Sequence, residues 1–460
     1  MRWAGRIPSE VIAACRRLQE TGFAAYVVGG AVRDLLLSPD DDKAKDFDLT
    51  TSATPDEVIA VFGRRKVIPT GIAHGTVTVL CERAAGKPHP VEITTFRGET
   101  GFSDGRRPDR VEFITDLTED LRRRDFTVNA IAFDPVSQRL VDPFDGQGDL
   151  GSQTIRAVGD PVERFAEDGL RVMRAVRFSA QLGFEVDVYT RAAFAGALPT
   201  LRKVSRERIR DELLKLLASP APRRGLRLMC LRSDANPSFD WGTDGNILRV
   251  VFPELSHMVT DLSSLASWCN LIEQVQRPLR LAAFLWPLRE WLQGLGAQVA
   301  KLPRALGELL DERLKLPASD RQFLVSILTV PLVPSELALH LSGPQLRRFL
   351  AEHPEPVIDA LLALQWAAGK AARDEAASVQ LPLLMDRIAE ERARKPPLSI
   401  AELAVGGKDL IAACQLPPGP WVGELQRELL LQVLDEPSRN TREDLLAIAT
   451  KWLTTRNFRH

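Results

Sequence analysis

The feature that most constrains this 460-residue chain is the order of residue types in residues 26–48, YVVGGAVRDLLLSPDDDKAKDFD. The valines at 27–28 favour a β-strand, and the glycines at 29–30 are a turn signal. Residues 32–37 suit a short helix, and the segment ends on a second predicted strand. This order predicts a strand, a tight turn, a helix and a returning strand, which is the start of a domain that contains both sheet and helix.

Two carboxylates close this segment. Asp46 and Asp48 flank Phe47, and because strand side chains alternate, the two carboxylates are predicted to share one face. Like charges at this separation repel unless a cation lies between them, and oxygen ligands suit Mg²⁺. The pair therefore predicts a magnesium site, against the common alternative that such a pattern is only a solvated strand edge.

The glycine turn that precedes the helix suits a phosphate group. Gly29 and Gly30 have no side chains, so their backbone N–H groups can approach a phosphate closely. Arg33 and the N-terminus of the helix add positive potential. Two adjacent glycines are usually only a turn, but a phosphate cradle beside a carboxylate pair is what metal-assisted nucleotidyl transfer requires.

Composition limits the remaining classes. The formal net charge is −1 and the pI is about 6.6, so a nucleic-acid binder of this kind must concentrate its basic residues locally. The N-terminal residues contain no apolar signal core, and no apolar run is long enough to predict a membrane span. The five cysteines are scattered, which predicts reduced thiols and a cytoplasmic location.

Three β-type runs follow the first unit, and they read RKVIPTG, GTVTVLCE and PVEITTFRGE. All three alternate and are rich in Val, Ile and Thr, which predicts strands. Glu92 in the third run is predicted to face the same way as the aspartates and to assist them as a third acidic group. The alternative is an exposed strand residue. Residues 97–120 are Gly-rich and charged, which predicts a mobile loop, either a lid or a simple connection.

Two further segments combine arginines with buried-type residues. In LRRRDFTVNAIAFD (121–134) three arginines precede an apolar stretch, where Asn129 needs a polar partner. In EDGLRVMRAVRFSAQLGF (167–184) one carboxylate and three arginines fall along one helix flank, at Asp168, Arg171, Arg174 and Arg177. A run or flank of arginines is more often a solvated surface than a site.

The rest of the chain is predicted to be helical. Turn-rich residues 141–150 close a first domain, and SPAPRRG after residue 218 marks another boundary. Leu and Ala recur at helical spacing from there to the C-terminus. The predicted domains are residues 1–150, 151–220, 221–390 and 391–460, and the last three are predicted to be helical.

These motifs together resemble the polymerase-β-like nucleotidyltransferases, in the branch of the bacterial tRNA CCA-adding enzymes and poly(A) polymerases. The resemblance rests on D-F-D (46–48), R-R-D-F-T-x-N-A (123–130), E-D-x-L-R-x-x-R-x-x-R-F (167–178) and R-E-R-I-x-x-E-x-x-K-L (206–216). It covers the first 220 residues closely, the last 60 moderately and the middle thinly. The fold it implies is an α+β N-terminal nucleotidyltransferase domain, with a small mixed sheet and helices, followed by an elongated all-α region.

The resemblance implies a catalytic head in residues 1–150, a nucleotide-recognition neck in 151–220, a helical body in 221–390 and a tail that binds tRNA in 391–460. It also implies roles for individual residues. Asp46 and Asp48 hold Mg²⁺ and, with Glu92, carry out catalysis. Asp168 and Arg171 hydrogen-bond the edge of the incoming base, where one offers only acceptors and the other only donors. The remaining implied contacts, to ribose and phosphates, come from Gly29, Gly30, Arg33, Arg124, Asp125, Asn129, Arg174 and Arg177.

The implied function is template-independent addition or repair of the 3′-terminal CCA of tRNA from CTP and ATP, with release of pyrophosphate. A poly(A) polymerase, or an enzyme restricted to CC or to A, is the closest alternative. A non-catalytic RNA-binding protein is the alternative from another class, and the intact carboxylate pair argues against it. The sequence leaves open whether the protein is a monomer or a homodimer.

Overall fold

The computed structural model describes residues 2–38, 46–83, 86–100, 110–230, 246–259, 261–294, 301–333 and 340–455. The chain forms two compact units. The first comprises Met1–Asp261 with Glu312–Lys315, and the second comprises Leu262–Asp311 with Leu316–His460. The acidic run at residues 40–42 lies outside the described residues.

A mixed seven-stranded sheet is the centre of the first unit. Its strands lie in the order β3-β4-β5-β2-β1-β8-β9, with β2 and β5 parallel and the other neighbouring pairs antiparallel. This arrangement confirms the small mixed sheet that the sequence predicts. The strands are β1 (Ala25–Val28), β2 (Asp48–Thr51), β3 (Val67–Gly71), β4 (Thr76–Cys81), β5 (His89–Thr95), β8 (Ala132–Asp134) and β9 (Arg139–Val141).

The register of the central strands determines where the acidic residues lie. Val28 pairs with Asp48, so the glycine turn leaves β1 beside the start of β2. Leu49 of β2 pairs with Ile93 of β5, and these two strands are parallel. Asp48 and Glu92, the residues directly before this pair, therefore occupy equivalent positions on adjoining strands. β2 begins at Asp48, so Asp46 precedes the strand instead of lying within it as the sequence predicts.

A hairpin occupies part of the segment predicted to be a loop. β6 (Arg97–Thr100) and β7 (Arg110–Phe113) form a two-stranded antiparallel sheet. The loop prediction for residues 97–120 was therefore wrong where β6 and β7 lie. The glycines and charges of the segment obscured the alternating Arg-Val-Glu-Phe pattern of β7. The connecting residues 101–109, and with them the proposed lid, lie outside the described residues.

Helices surround this sheet and extend the first unit. Local signals explain several boundaries: Thr54 and Glu57 form a capping box at the start of α3, and Asp160 caps α6. The helices are α1 (Ser9–Glu20), α2 (Gly30–Leu37), α3 (Pro55–Phe62), α4 (Leu117–Arg122), α5 (Gly146–Gly151), α6 (Pro161–Glu167), α7 (Leu170–Leu182), α8 (Val188–Ala192), α9 (Phe194–Lys203), α10 (Arg206–Ala218), α11 (Pro222–Cys230), α12 (Ile247–Val251) and α13 (Pro253–Ser256). A two-stranded parallel sheet, β10 (Thr154–Ile155) and β11 (Glu185–Val186), lies among them.

Helix α7 is the central helix of this extension. Val172, Met173 and Val176 are fully buried, and α7 packs against α10 and α11. Gly169, just before α7, lies against α9: a Cβ there would come within 2.4 Å of the backbone nitrogen of Leu201. This close approach fixes the start of α7, and with it the position of the neighbouring Asp168.

The regular structure in the described residues of the second unit is entirely helical, which confirms the predicted all-α region. Its core includes two clusters of buried apolar residues, one centred on Leu381 and Leu384 and the other on Leu425 and Leu429. None of the helices in the described ranges is both long and apolar enough to cross a membrane. The helices are Leu262–Gln274, Arg280–Leu285, Leu288–Gly294, Leu302–Leu314 (whose last residues belong to the first unit), Ala318–Thr329, Gly343–Glu352, Glu355–Ala372, Glu375–Ala393, Gly407–Cys414, Trp421–Asp435 and Arg442–Thr455.

Candidate active site

A cavity of about 670 Å³ in the first unit brings together nearly all the residues that the sequence singles out. Its wall contains the glycine turn, the two aspartates, the segment after α4 and one flank of α7. Glu92 is not part of that wall. The lining residues are Gly29, Gly30, Arg33, Asp46, Asp48, Arg124, Asp125, Asn129, Asp168, Leu170, Arg171, Arg174, Arg177, Phe178, Gln181, Arg208 and Lys215.

The acidic residues lie on one side of this cavity. Phe47 is buried, with 5% of its surface exposed, while Asp46 and Asp48 on either side of it are exposed and line the cavity. Although the Asp48 residue is exposed at the cavity surface, the protein atoms around its carboxyl group limit its hydration. This desolvation, with repulsion from Glu92 and Asp46, raises the pKa of Asp48 to about 6, although Arg124 opposes the shift. Three carboxylates thus influence one another at this point.

The chemistry of this donor set fits a divalent cation. A cation beside Asp46 and Asp48 would offset the desolvation and the carboxylate repulsion that raise the pKa of Asp48, and carboxylate oxygens are hard ligands. Within the described ranges, no three His, Cys, Asp or Glu side chains converge as a complete ligand set. Substrate and water oxygens would suit the remaining coordination positions of a metal held by this pair.

The glycine turn packs directly under Arg124. Gly29 has φ 73° and ψ −135°, a conformation that L-residues avoid. A Cβ on Gly29 would lie 3.2 Å from Nη1 of Arg124. Nε of Arg124 is buried and has no hydrogen-bond partner among the described residues. The turn therefore requires glycine, and Arg124 keeps a donor that an incoming acceptor can satisfy.

A chain of polar contacts joins the turn helix to α7. Nη1 of Arg33 donates to Oδ1 of Asn129 (2.7 Å), whose Nδ2 donates to Oδ1 of Asp125 (3.1 Å). Nε of Arg174 donates to Oδ2 of Asp125 (2.7 Å). Burial alone would raise the pKa of Asp125, but Arg174 and Asn129 outweigh it and hold this pKa at about 2. These contacts supply the polar partners that Asn129 needs in its apolar surroundings.

Asp168 and Arg171, which the sequence predicts to read the base, are each held by other groups. Asp168 accepts hydrogen bonds from Nη2 (2.6 Å) and Nη1 (3.3 Å) of Arg208, and from the backbone N–H of Leu170 (3.0 Å). Arg171 donates to Glu167 and to the backbone carbonyls of residues 123 and 164. Both side chains are therefore oriented before any ligand binds.

The cavity also contains residues that the sequence did not identify as site residues: Leu170, Phe178, Gln181, Arg208 and Lys215. Arg208 and Lys215 belong to α10, which carries the R-E-R-I-x-x-E-x-x-K-L motif. Their spacing of seven residues places both on one helix face, and this was the signal available in the sequence. Gln181 accepts a hydrogen bond from Nη1 of Arg177 (2.6 Å), whose Nε donates to Glu212.

The balance of charge on the cavity wall is positive. Seven lining side chains are cationic and four are carboxylates, in a chain whose net charge is −1. Such a local excess suits a polyanion, and guanidinium groups bind phosphate oxygens with directed N–H donors. The arrangement can hold a polyphosphate at the arginines while a carboxylate pair lies beside it.

Comparison with known families supports this chemistry. Residues 25–156 match the family described as "Poly A polymerase head domain". Residues 183–231 match "Probable RNA and SrmB- binding site of polymerase A", and residues 358–449 match domain 2 of the tRNA nucleotidyltransferases. The first match contains the glycine turn and the acidic residues, and the third lies in the second unit.

Individual relatives extend the similarity to most of the chain. The chain is 34% identical to a CCA-adding enzyme of Enterococcus faecalis over 453 residues, which cover 97% of each protein. It is 45% identical to a CCA-adding enzyme of Lactobacillus helveticus over 261 residues, or 57% of the chain and 62% of that relative. A crystal structure of the Bacillus stearothermophilus CCA-adding enzyme in complex with CTP superposes with a TM-score of 0.68 at 30% identity, covering 97% of this chain and 98% of that one.

Proposed function

Because the chain belongs to the family of CCA-adding enzymes, we propose that it is a nucleotidyltransferase that builds or repairs the 3′-terminal CCA of tRNA from CTP and ATP. The observation that carries the proposal is the single cavity that combines the Asp46–Asp48 pair, a cluster of arginines and the Asp168–Arg171 pair. These are the three parts that untemplated nucleotidyl transfer needs: an acidic centre, a triphosphate site and a base-reading site.

The acidic centre is the place for the reacting atoms. Nucleotidyltransferases of this family generally use divalent metal ions, and we propose Mg²⁺ held by Asp46 and Asp48. When bound, the ion supplies Lewis-acid stabilisation of the charge that develops during transfer. Glu92, on the strand next to Asp48, helps to hold the 3′-hydroxyl of the tRNA. In-line attack of that hydroxyl on the α-phosphate joins the nucleotide and releases pyrophosphate.

The arginines bind and orient the triphosphate. Arg33 and the Gly29–Gly30 turn lie on one side, and Arg174 and Arg177 lie on α7. Arg124 completes this group with its unpartnered buried Nε. Fixing the triphosphate across elements that are held together by hydrogen bonds removes orientational freedom before the reaction begins. Asp125 and Asn129 are the proposed contacts to the ribose hydroxyls, because both carry acceptor oxygens in the same cavity.

Asp168 and Arg171 are proposed to select the base. A carboxylate accepts from the exocyclic amino group of either cytosine or adenine, while a guanidinium donates to ring acceptors of either. Guanine and uracil offer the opposite pattern at the amino position. Hydrogen bonds hold Asp168 and Arg171 in fixed positions, so that protein side chains recognise the base. No nucleic-acid template is needed for this selection.

The predicted tail, residues 391–460 of the second unit, is the proposed tRNA-binding part of the chain. Its described residues include three helices that begin after Gly/Pro-rich or polar turns, at Gly407, Trp421 and Arg442. Backbone N–H groups at such turns can hold RNA phosphates without reading bases. The tail boundary at residue 391, the other predicted domain boundaries and the cytoplasmic location stay predictions.

The experiment that tests this function is nucleotide incorporation on three tRNA transcripts, one without CCA, one ending in C and one ending in CC. Completion of all three to CCA and no further is the expected result. Long A tails on unrelated RNA would indicate a poly(A) polymerase instead. Addition that stops at CC, or that occurs only on the CC transcript, would indicate a restricted enzyme.

A further inference from the structure

Three arginines of the cavity meet at one aromatic ring. The guanidinium carbon of Arg177 lies 3.8 Å from the ring centroid of Phe178, that of Arg33 lies at 5.2 Å and that of Arg174 at 5.4 Å. Phe178 is 5% exposed and lines the cavity. Its ring is held edge-to-face against Phe126, with centroids 5.8 Å apart and an interplanar angle of 82°.

The three arginines come from two separate parts of the chain. Arg33 belongs to α2, directly after the glycine turn, whereas Arg174 and Arg177 belong to α7. Their hydrogen bonds also go to different acceptors, namely Asn129, Asp125 and Gln181. The ring of Phe178 is a contact that all three guanidinium groups share.

A ring in this position can hold several cationic side chains close together. Three like charges around one point repel each other, and each is also attracted towards a nearby carboxylate. The faces of an aromatic ring carry partial negative charge and attract a cation without neutralising it. A guanidinium that stacks by its flat face keeps its N–H edges available for phosphate oxygens.

We propose that Phe178 is a positioning residue for the triphosphate, which sets the spacing of Arg33, Arg174 and Arg177 across the cavity. The inference rests on the proposed function and extends it to a side chain with no hydrogen-bonding group. Because the triphosphate is common to both substrates, loss of the ring weakens CTP and ATP binding by the same factor. Base choice at Asp168 and Arg171 is unchanged.

The test compares Phe178→Leu, which removes the ring, with Phe178→Tyr, which keeps it. Phe165→Leu is the matched control, since Phe165 is fully buried on α6 and packs against Phe194 (5.7 Å). Calorimetric titration with CTP, ATP and pyrophosphate gives affinities without requiring turnover. Phe178→Leu is expected to weaken all three about tenfold, ~1.4 kcal/mol. Phe178→Tyr and Phe165→Leu are expected to stay within about twofold of the parent protein.

Several outcomes would overturn the proposal. Unchanged affinities in Phe178→Leu, or equal losses in Phe178→Leu and Phe165→Leu, would reduce Phe178 to a packing residue. A loss confined to one nucleotide would place its effect at the base. If Phe178→Leu does not fold, the affinities of Phe178→Met for CTP, ATP and pyrophosphate are compared with those of Phe178→Tyr instead. The same losses are then expected and the same outcomes would overturn the proposal. A parent protein that binds these ligands through Phe178 but fails to extend tRNA would contradict the proposed function and leave this inference intact.

Discussion

Arg177 in the cavity and Arg347 in the second unit have nearly the same exposure and the same kind of partner. Their side chains are 8% and 10% exposed, and each is paired with a glutamate that is 5% exposed, Glu212 and Glu391. Arg347 also donates to the backbone carbonyls of residues 434 (2.6 Å) and 435 (3.0 Å). It thereby completes the C-terminal end of the helix Trp421–Asp435.

The surroundings of the two arginines differ. Arg177 lies on a cavity wall with a surplus of cations, and its glutamate has two further cations nearby, Arg174 and Lys215, each at 3.8 Å. Arg347 has two backbone carbonyls among its acceptors, and a buried carbonyl needs a hydrogen-bond donor. Its third acceptor, Glu391, is also paired with Arg394 (2.8 Å). Burial and ion pairing therefore do not separate a binding arginine from a structural one. The two kinds of arginine are distinguished by the identity of their acceptors and by the local balance of charge.

The largest expected effect is on the cavity side of this comparison, for Asp48→Asn. Incorporation should fall by roughly 10³-fold, since the change removes a carboxylate worth several kcal/mol to the metal-assisted step. Single-turnover extension of a tRNA ending in CC measures it, with Asp56→Asn, an exposed aspartate on α3, as the control. Turnover by Asp48→Asn at the rate of the control would remove this pair from the mechanism.

Arg347→Met should have the next largest effect, on stability alone. Two backbone carbonyls lose a donor in a buried site, and Glu391 keeps Arg394 (2.8 Å) but loses its buried partner, which should lower the free energy of unfolding by about 3 kcal/mol. Urea denaturation measures this loss, while KM for CTP stays unchanged. The control is Arg348→Met, whose exposed pair with Asp435 (2.7 Å) should contribute less than about 1 kcal/mol. Equal losses in the two variants would refute the structural role of Arg347.

Arg177→Met should show the opposite pattern. KM for both CTP and ATP should rise about 30-fold, corresponding to the loss of a charged hydrogen bond of about 2 kcal/mol. The free energy of unfolding should fall by only about 1 kcal/mol, because Arg174 and Lys215 remain near Glu212. Steady-state kinetics and urea denaturation on the same preparations measure both quantities. A stability loss as large as that of Arg347→Met would erase the distinction between the two arginines.

The smallest expected effect is a pH-dependent difference in stability between the metal-free Asp48→Asn variant and the parent. The pKa of Asp48 is raised to about 6, so above pH 6 the folded parent carries an unfavourable charge that the variant lacks. The variant should be more stable by about 1 kcal/mol at pH 8, and the difference should vanish as the pH falls towards 4. Thermal unfolding between pH 4 and 8 measures it. A difference that grows with acidity would contradict the raised pKa.

Sequence patterns predicted much of the fold because they are local. Alternation in β3, β4 and β5 and the glycine turn before α2 lie within a few residues of the elements that they specify. The hairpin of β6 and β7 was missed because its pairing joins residues on either side of a Gly-rich segment. Which strands become neighbours, such as the parallel pair β2 and β5, depends on the packing of the entire first unit.

The site could be anticipated only where its residues form contiguous motifs. The roles of Asp48, Asp168 and Arg174 stay predictions, yet their convergence on one cavity is observed. Arg208 was missed because its contact with Asp168 spans 40 residues and exists only after α10 packs against α7. Phe178 ends the motif 167–178, yet the sequence did not identify it as a site residue, because only folding brings Arg33 to its ring.

The cationic wall of the cavity is assembled from parts that are remote along the chain, α2, the segment after α4, α7 and α10. A triphosphate that contacts all of these segments binds only when they are folded together, and it therefore stabilises the folded state. At a nucleotide concentration one hundred times its dissociation constant, this binding adds about 2.7 kcal/mol to the folded state. The lifetime of the protein against cellular proteases should therefore follow the supply of CTP and ATP, so that a starved cell clears this protein sooner than a growing one.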